Sequence, residues 1–205
     1  MSALDFLSPG LAADADGFHP VARSAMERRF RDAGATFAER DGWLVPVSVP
    51  GEAEHLAAVG VADLSHLTKL ESRSAGAPPS LVTDRYMAWY DISPRRALVL
   101  CEARDAAEVR GLLAGRDVLD VTAAYAVLAL TGPEAPTVLR RLTHLHRFPS
   151  GGAVAHVTAH VLEQPPGFWI VVPQEYGAYL YDVAVDRASA LGGGPVGVEA
   201  LEAVA

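Results

Sequence analysis

His156 and His160, in the stretch "HVTAH", come nearest to a metal-ligand pair in this chain. Four residues apart on a helix, two histidines share a face and can hold one ion. Here Gly151-Gly152 precede them, and Val154, Val157, Thr158 and Val161 surround them, which are residue types that favour a strand. In a strand the two rings stand about 13 Å apart. No carboxylate lies between them, as a metalloprotease helix requires. No metal site is expected, and "HLH" at 144–146 is a weaker case still. Cys101 is the only cysteine and lies in the apolar run "ALVLCEA". It can build neither a disulfide nor a thiolate zinc site, and it reads as a buried structural thiol. The glycines before Pro195 have no following Lys-Ser/Thr, so they form no phosphate loop, and no Gly-x-Ser-x-Gly elbow occurs.

The remaining chemistry-bearing residues are carboxylates, aromatics and one polar turn, Asp63-Leu64-Ser65-His66. Asp and Ser side chains bond nearby backbone readily, so the first expectation is that they fix a turn. Tyr86, Met87, Trp89, Tyr90 and Arg95 crowd into ten positions, and such residues are enriched where protein interfaces are tightest. In a strand, Tyr86, Ala88 and Tyr90 share one face and Met87, Trp89 and Asp91 the other. One face can serve a core and leave the other to a partner or ligand. Alternatively, both are covered within the domain.

These residues need elements to hold them. "HPVARSAMERRFRDAGA" has helical spacing ended by Gly34, and Asp41-Gly42 marks a hairpin turn. "GEAEHLAAVG" is a second helix, and Leu67 to Ser72 alternate as a strand. Two aromatic-aliphatic strands meet at Ser93-Pro94, and "RDAAEVRGLLAG" is a helix stopped by Gly115. "DVLDVTAAYAVLALTG" is strand, turn and strand, and a helix follows with proline in its first turn. "GGAVAHVTAHVLE" and "GFWIVVP" form a strand pair about Pro165-Pro166-Gly167. A long helix has Tyr176, Leu180, Val183 and Leu191 on one side, and a glycine-rich cap and short tail end the chain. The order predicts an α+β fold with mixed or antiparallel sheets and helices. Residues 1–17 are expected to be a flexible arm, and 18–205 one domain.

The chain has 205 residues and a net charge of −8, which repels a nucleic-acid backbone. The Arg-rich stretches "MERRFRD" and "VLRRLTHLHR" read as solvated helix faces. No apolar run approaches the ~20 residues of a membrane helix. The N-terminus has neither a basic leader nor an apolar core segment, so a soluble cytoplasmic protein is expected.

A pattern spread over most of the chain resembles the aminomethyltransferase (glycine-cleavage T-protein) folate-binding family. Its pieces are Gly34-Ala35-Thr36-Phe37, Gly42-Trp43-Leu44-Val45-Pro46, Glu54-His55 and Asp63-Leu64-Ser65-His66, in that order. The resemblance resumes at "DVTAAYAVLALTGPEAPTVLRRL" and continues through "GFWIVVPQEYGAYLYDVAVDRA" and "GGGPVGVEALEAV". Between these halves, catalytic members carry an Asn-x-x-Gly-Gly-x-x-Asp-Asp hairpin, and nothing between Lys69 and Asp117 matches it. The shortened middle is similar to the sarcosine oxidase gamma subunit, with Arg95 and Arg96 where that pattern has Asp-Glu. Trp169 stands where the T-protein strand ends in Glu.

The resemblance implies the aminomethyltransferase fold and tetrahydrofolate as a cofactor. Leu67, Tyr86, Tyr125 and Trp169 would supply apolar walls, and Asp91 or Glu163 a carboxylate, with Trp89 a further wall residue. No catalytic residue is assigned, because the carboxylate hairpin is missing. The function implied is a degenerate, mainly non-catalytic subunit that assembles with a flavoprotein oxidase type of partner in a flavin-dependent amine-oxidising or one-carbon complex. The alternative is a compact tetrahydrofolate-dependent transferase that moves a one-carbon unit from an amine to folate.

Overall fold

The computed structural model describes residues 20–74, 76 and 87–203. The expected arm at 1–17, and Tyr86, lie outside the described residues. Three sheets share one interior. The largest has the order β10-β11-β12-β9-β4-β13. It comprises β4 (Gly60–Asp63), β9 (Tyr125–Thr131), β10 (Ser150–Val154), β11 (Val157–Gln164), β12 (Gly167–Pro173) and β13 (Gly194–Pro195). A three-stranded sheet joins β1 (Ala22–Arg23), β3 (Trp43–Ser48) and β2 (Thr36–Arg40). A four-stranded sheet runs β6 (Ala88–Ser93), β7 (Arg96–Cys101), β5 (Thr68–Ser72) and β8 (Val118–Asp120). This is the expected α+β class, with antiparallel pairs joined by two short parallel ones.

The "YAVLALT" run of β9 explains the layering. It is apolar on both faces, as a strand covered on both sides must be. Leu128 and Leu130 pack with Phe30, Val138 and Leu180 from α1 (Glu27–Asp32), α4 (Ala135–Leu142) and α5 (Gly177–Ser189). Val127 and Ala129 face the opposite way, toward Trp43, Val45, Leu98 and Leu100 of the smaller sheets. A third cluster sets Leu70, Val99 and Cys101 against Val109 and Leu113, at the C-terminal end of α3 (Ala106–Leu112). The helix α2 (Glu52–Ala58) leads into β4, and α6 (Val198–Ala203) ends the described chain. No helix among the described residues is long and apolar enough to cross a membrane.

Four local expectations change. The first helix is shorter than its spacing suggests, because Ala22–Arg23 pair with β3 and Ala22 N donates to Gly42 O at 2.7 Å. "GGAVAHVTAHVLE" is two strands, turned at Ala155 and His156 with φ of 48° and 68°. The buried stripe of α5 is Gly177, Leu180, Tyr181, Ala184 and Ala188, and Tyr176 and Leu191 lie beyond its ends. The glycine-rich tail forms β13 and α6. From Met87 to Tyr90 the aromatic run is buried on one face and half-buried on the other. Ala88 and Tyr90 enter the inter-sheet core, while Met87 and Trp89 pack half-buried on the third cluster.

Candidate functional site

Asp63 closes β4, and its neighbours fold back at once toward β5. Asp63 Oδ1 accepts from Ser65 N at 2.9 Å, and Ser65 Oγ accepts from Val127 N at 3.1 Å. Lys69 Nζ donates to Ser65 O at 2.6 Å, and Thr122 Oγ1 accepts from Lys69 N at 3.0 Å. The polar motif is therefore a lock between β4, β5 and β9. Lys69 is fully buried, with its ammonium 5.8 Å from the Trp43 ring centroid. Burial drives its pKa down to about 7, against the attraction of Asp63 and Asp120. Burial holds the Asp63 carboxyl above its ordinary range. The His66 ring is pushed down to about 3, by burial first and then by the charges of Lys69 and Arg40.

The same turn forms one wall of a narrow, partly open pocket. Leu64 and Leu67 face Phe168 and Trp169 of β12, with Leu201 of α6 beside them. Gly167 lets β12 lie this close to β9, since a Cβ there would stand 1.9 Å from Leu130 O. His66, Thr131, Gln164, Glu102 and Glu202 are the polar lining. His66 Nδ1 is enclosed and has no hydrogen-bond partner. Neither carboxylate is free. Glu102 pairs with Arg104 at 2.5 Å, and Glu202 with Arg40 at 2.6 Å. Burial raises the Glu102 carboxyl, and Arg104 opposes that shift. The result is an apolar slot with a few placed polar groups, the general form of a small-molecule site.

Of the residues singled out in the sequence, Leu67 and Trp169 meet in this pocket. Tyr125 is half-buried at the start of β9 and packs on the inter-sheet core. Asp91 is exposed on β6 and accepts from Trp89 Nε1 at 2.9 Å. Glu163 is exposed on β11, opposite Phe168 in register and outside the lining. The sequence singled out His66 as part of a turn and not of a pocket, and Glu102, Thr131, Gln164 and Glu202 were missed. Of these four, only Gln164 had a signal, the Gln164-Pro165-Pro166-Gly167 turn that fixes where β12 begins. Arg96 makes a two-pronged bond to Glu71, at 3.1 and 2.7 Å, while Arg95 is exposed. His156 sits exposed in a turn, and His160 stacks on Tyr90 at 5.0 Å. The Cys101 thiol is pushed up to about 12, chiefly by burial.

Three sheets about one core, with an apolar pocket at the β4–β5 turn, define a folate-binding-type fold. The chain belongs to the aminomethyltransferase, or glycine-cleavage T-protein, folate-binding family, to which the sarcosine oxidase gamma subunit is related. It is 31% identical over 222 residues to an aminomethyltransferase of Mycolicibacterium paratuberculosis, covering 85% of this chain and 59% of that protein. An aminomethyltransferase of Mycobacterium tuberculosis is 30% identical over 218 residues, with the same coverage. The chain thus spans 59% of the length of these relatives. No protein-family model matches it. The fold is shared with one chain of the heterotetrameric sarcosine oxidase from Corynebacterium sp. U-96, with a TM-score of 0.59 and 18% identity. That match covers 85% of this chain and 98% of the other. Glycine cleavage system aminomethyltransferase T from Bartonella henselae gives a TM-score of 0.62 at 19% identity, covering 88% and 60%.

Proposed function

We propose that this chain is a degenerate, mainly non-catalytic member of its family that acts as a subunit. Its partner would be a flavin-dependent amine-oxidising or one-carbon-transfer protein. The observation that carries the reading is the pocket between Leu67 and Trp169. It keeps the apolar slot, but both of its carboxylates are committed to arginines. The similarity over 98% of one chain of a heterotetrameric oxidase supports a subunit role.

Tetrahydrofolate, when bound, would accept a one-carbon unit at its pterin N5 and side-arm N10 amines. The slot's residues fit only part of what that requires. Leu67, Phe168 and Trp169 would hold a flat ring, and Gln164 or the unpartnered His66 Nδ1 would meet its polar edge. Charge developing on the folate amine needs a carboxylate aimed at it. Glu102 and Glu202 would first have to leave Arg104 and Arg40. Ring binding without turnover is the expected behaviour.

Two measurements test this. The chain is expected to copurify with a flavoprotein when the two are expressed together, and to transfer no methylene group to tetrahydrofolate when isolated. Steady turnover by the isolated chain, lost on Glu102→Gln, would instead establish the compact transferase.

A further inference from the structure

A second, partly open hollow lies where α4, the β10–β11 turn and α5 come together. Arg140, Arg141, Arg187, His144 and His156 line it, and no carboxylate does. The chain as a whole has 25 acidic and 17 basic side chains, so this surface runs against the global charge. An adjoining groove shares Thr143, His144 and Ala153 with it and adds His146, Arg147 and Ser150, again without a carboxylate. Neither hollow shares a residue with the Trp169 pocket.

The two central arginines are not neutralised. Arg140 Nη2 donates to Thr137 Oγ1 at 3.1 Å, and Arg141 Nη1 reaches the Arg187 carbonyl at 3.4 Å. Neither has a carboxylate partner among the described residues. Arg187 pairs with its neighbour Asp186. In the adjoining groove Ser150 Oγ is enclosed and has no partner. His156 reaches the rim from a turn whose two residues, Ala155 and His156, both have left-handed backbone. Tyr179 O–H holds that turn through Ala155 O at 2.9 Å, and Ala155 N donates to Leu142 O at 2.7 Å. Backbone kept in this region by surrounding bonds is concentrated at binding loops.

A cation in the last turn of a helix offsets the helix dipole, which accounts for Arg140 and Arg141 on α4. It does not account for a concave surface drawn from three segments and, among the described residues, lacking any carboxylate. The geometry points to a binding site for a small multivalent oxyanion, bearing phosphate or carboxylate groups, with Arg140 and Arg141 as its principal ligands. The planar guanidinium fork matches such oxygens two at a time. A small ligand suits this concave, solvent-open surface better than a nucleic-acid backbone does, because the rest of the acidic surface repels an extended polyanion.

Calorimetric titration of the full chain with pyrophosphate, at low and then high salt, tests the site. One saturable event is expected, weaker at high salt. It should weaken by about tenfold or more in the Arg140→Gln/Arg141→Gln double variant, as loss of a charge-assisted bond implies. Circular dichroism of that variant should match the parent. Citrate serves as the second probe. Tighter binding of pyrophosphate assigns the site to phosphate compounds, and tighter binding of citrate assigns it to polycarboxylates. The inference is overturned if neither anion saturates the parent chain, or if the double variant binds equally well. It is also overturned if an acidic hexapeptide binds where both small anions fail, since the surface would then be a protein-docking face.

Discussion

At the β4–β5 junction Lys69 and Asp63 are sealed from water, whereas Arg140, Arg141 and Arg187 at the far end of the large sheet stand open to it. The sealed pair makes a few short bonds: Lys69 Nζ to Ser65 O, and Ser65 N to Asp63. The open group makes only long or neutral ones, apart from the Arg187 pair. A buried charge acts on stability through desolvation and barely on recognition. An exposed charge does the reverse, because water and salt screen its worth to the fold and leave it free for a ligand. The two clusters should therefore respond oppositely to the same kinds of change.

The largest effect is expected at Lys69. Truncation by Lys69→Ala removes three fully buried methylenes and the ammonium and leaves a cavity, which costs about 2–5 kcal/mol by analogy with other large-to-small core changes. Lys69→Met fills most of that volume and removes the buried ammonium, so it should stay within about 1 kcal/mol of the parent or exceed it. Urea denaturation of both variants measures this. If Met is as damaging as Ala, the bond to Ser65 O matters more than the desolvation.

pH sharpens the contrast next. Lys69 titrates near 10.5 when unfolded and at about 7 when folded. Between those values the unfolded chain binds more protons, so stability rises with pH, by up to about 1.4 kcal/mol per unit. His66 acts in the same direction lower down, between about 3 and its ordinary 6.5. Stability is thus lost as pH falls through either window. Asp63, whose carboxyl burial raises, acts in the opposite direction above its ordinary value, so the test is the difference between parent and Lys69→Met. That difference should climb from about pH 7 to about 8.5, and a flat difference would remove the desolvated lysine as the cause.

A smaller effect separates two hairpin turns of like backbone. Asp41 and Gly42 have φ of 53° and 75°, and Ala155 and His156 have 48° and 68°. Asp-Gly suits a turn with two left-handed residues, while Ala-His does not. A non-glycine residue there costs about 1–2 kcal/mol, and glycine gives back about 0.5–1 kcal/mol as chain entropy. His156→Gly should therefore stabilise by about 0.5–1 kcal/mol, seen as a rise of a few degrees in melting temperature. A lower melting temperature would show that the His156 side chain contributes to the fold.

These turns also mark what the sequence could disclose. The β2–β3 hairpin was legible because Asp41-Gly42 carries its turn chemistry locally. The β10–β11 hairpin was not, because Tyr179 and Leu142, distant in sequence, hold it. The α+β class with its mixed and antiparallel sheets was legible from the order of helices and strands, and the family fold from the ordered pieces from Gly34 to His66. Leu67 and Trp169 could be placed in one pocket for the same reason. Glu102 and Glu202 could not, since they converge only after β7 and α6 pack beside β12. The basic hollow was hidden as well, with "VLRRLTHLHR" reading as a solvated face until α5 and the β10–β11 turn enclose it.

The smallest effect is the most diagnostic for the open cluster. Arg140→Gln and Arg141→Gln together remove two favourable interactions with the α4 dipole, each about 0.3–1 kcal/mol at low salt. They also remove the mutual repulsion of Arg140, Arg141 and Arg187, which opposes that loss. The net change in unfolding free energy should lie within about 0.5 kcal/mol, the usual range for surface positions. Added salt should shrink it further, since both contributions are screened. Urea denaturation at low and high salt gives the answer. A loss of about 2 kcal/mol or more would mean that the arginines brace α4 against α5, and the division between sealed and open charge would not hold here.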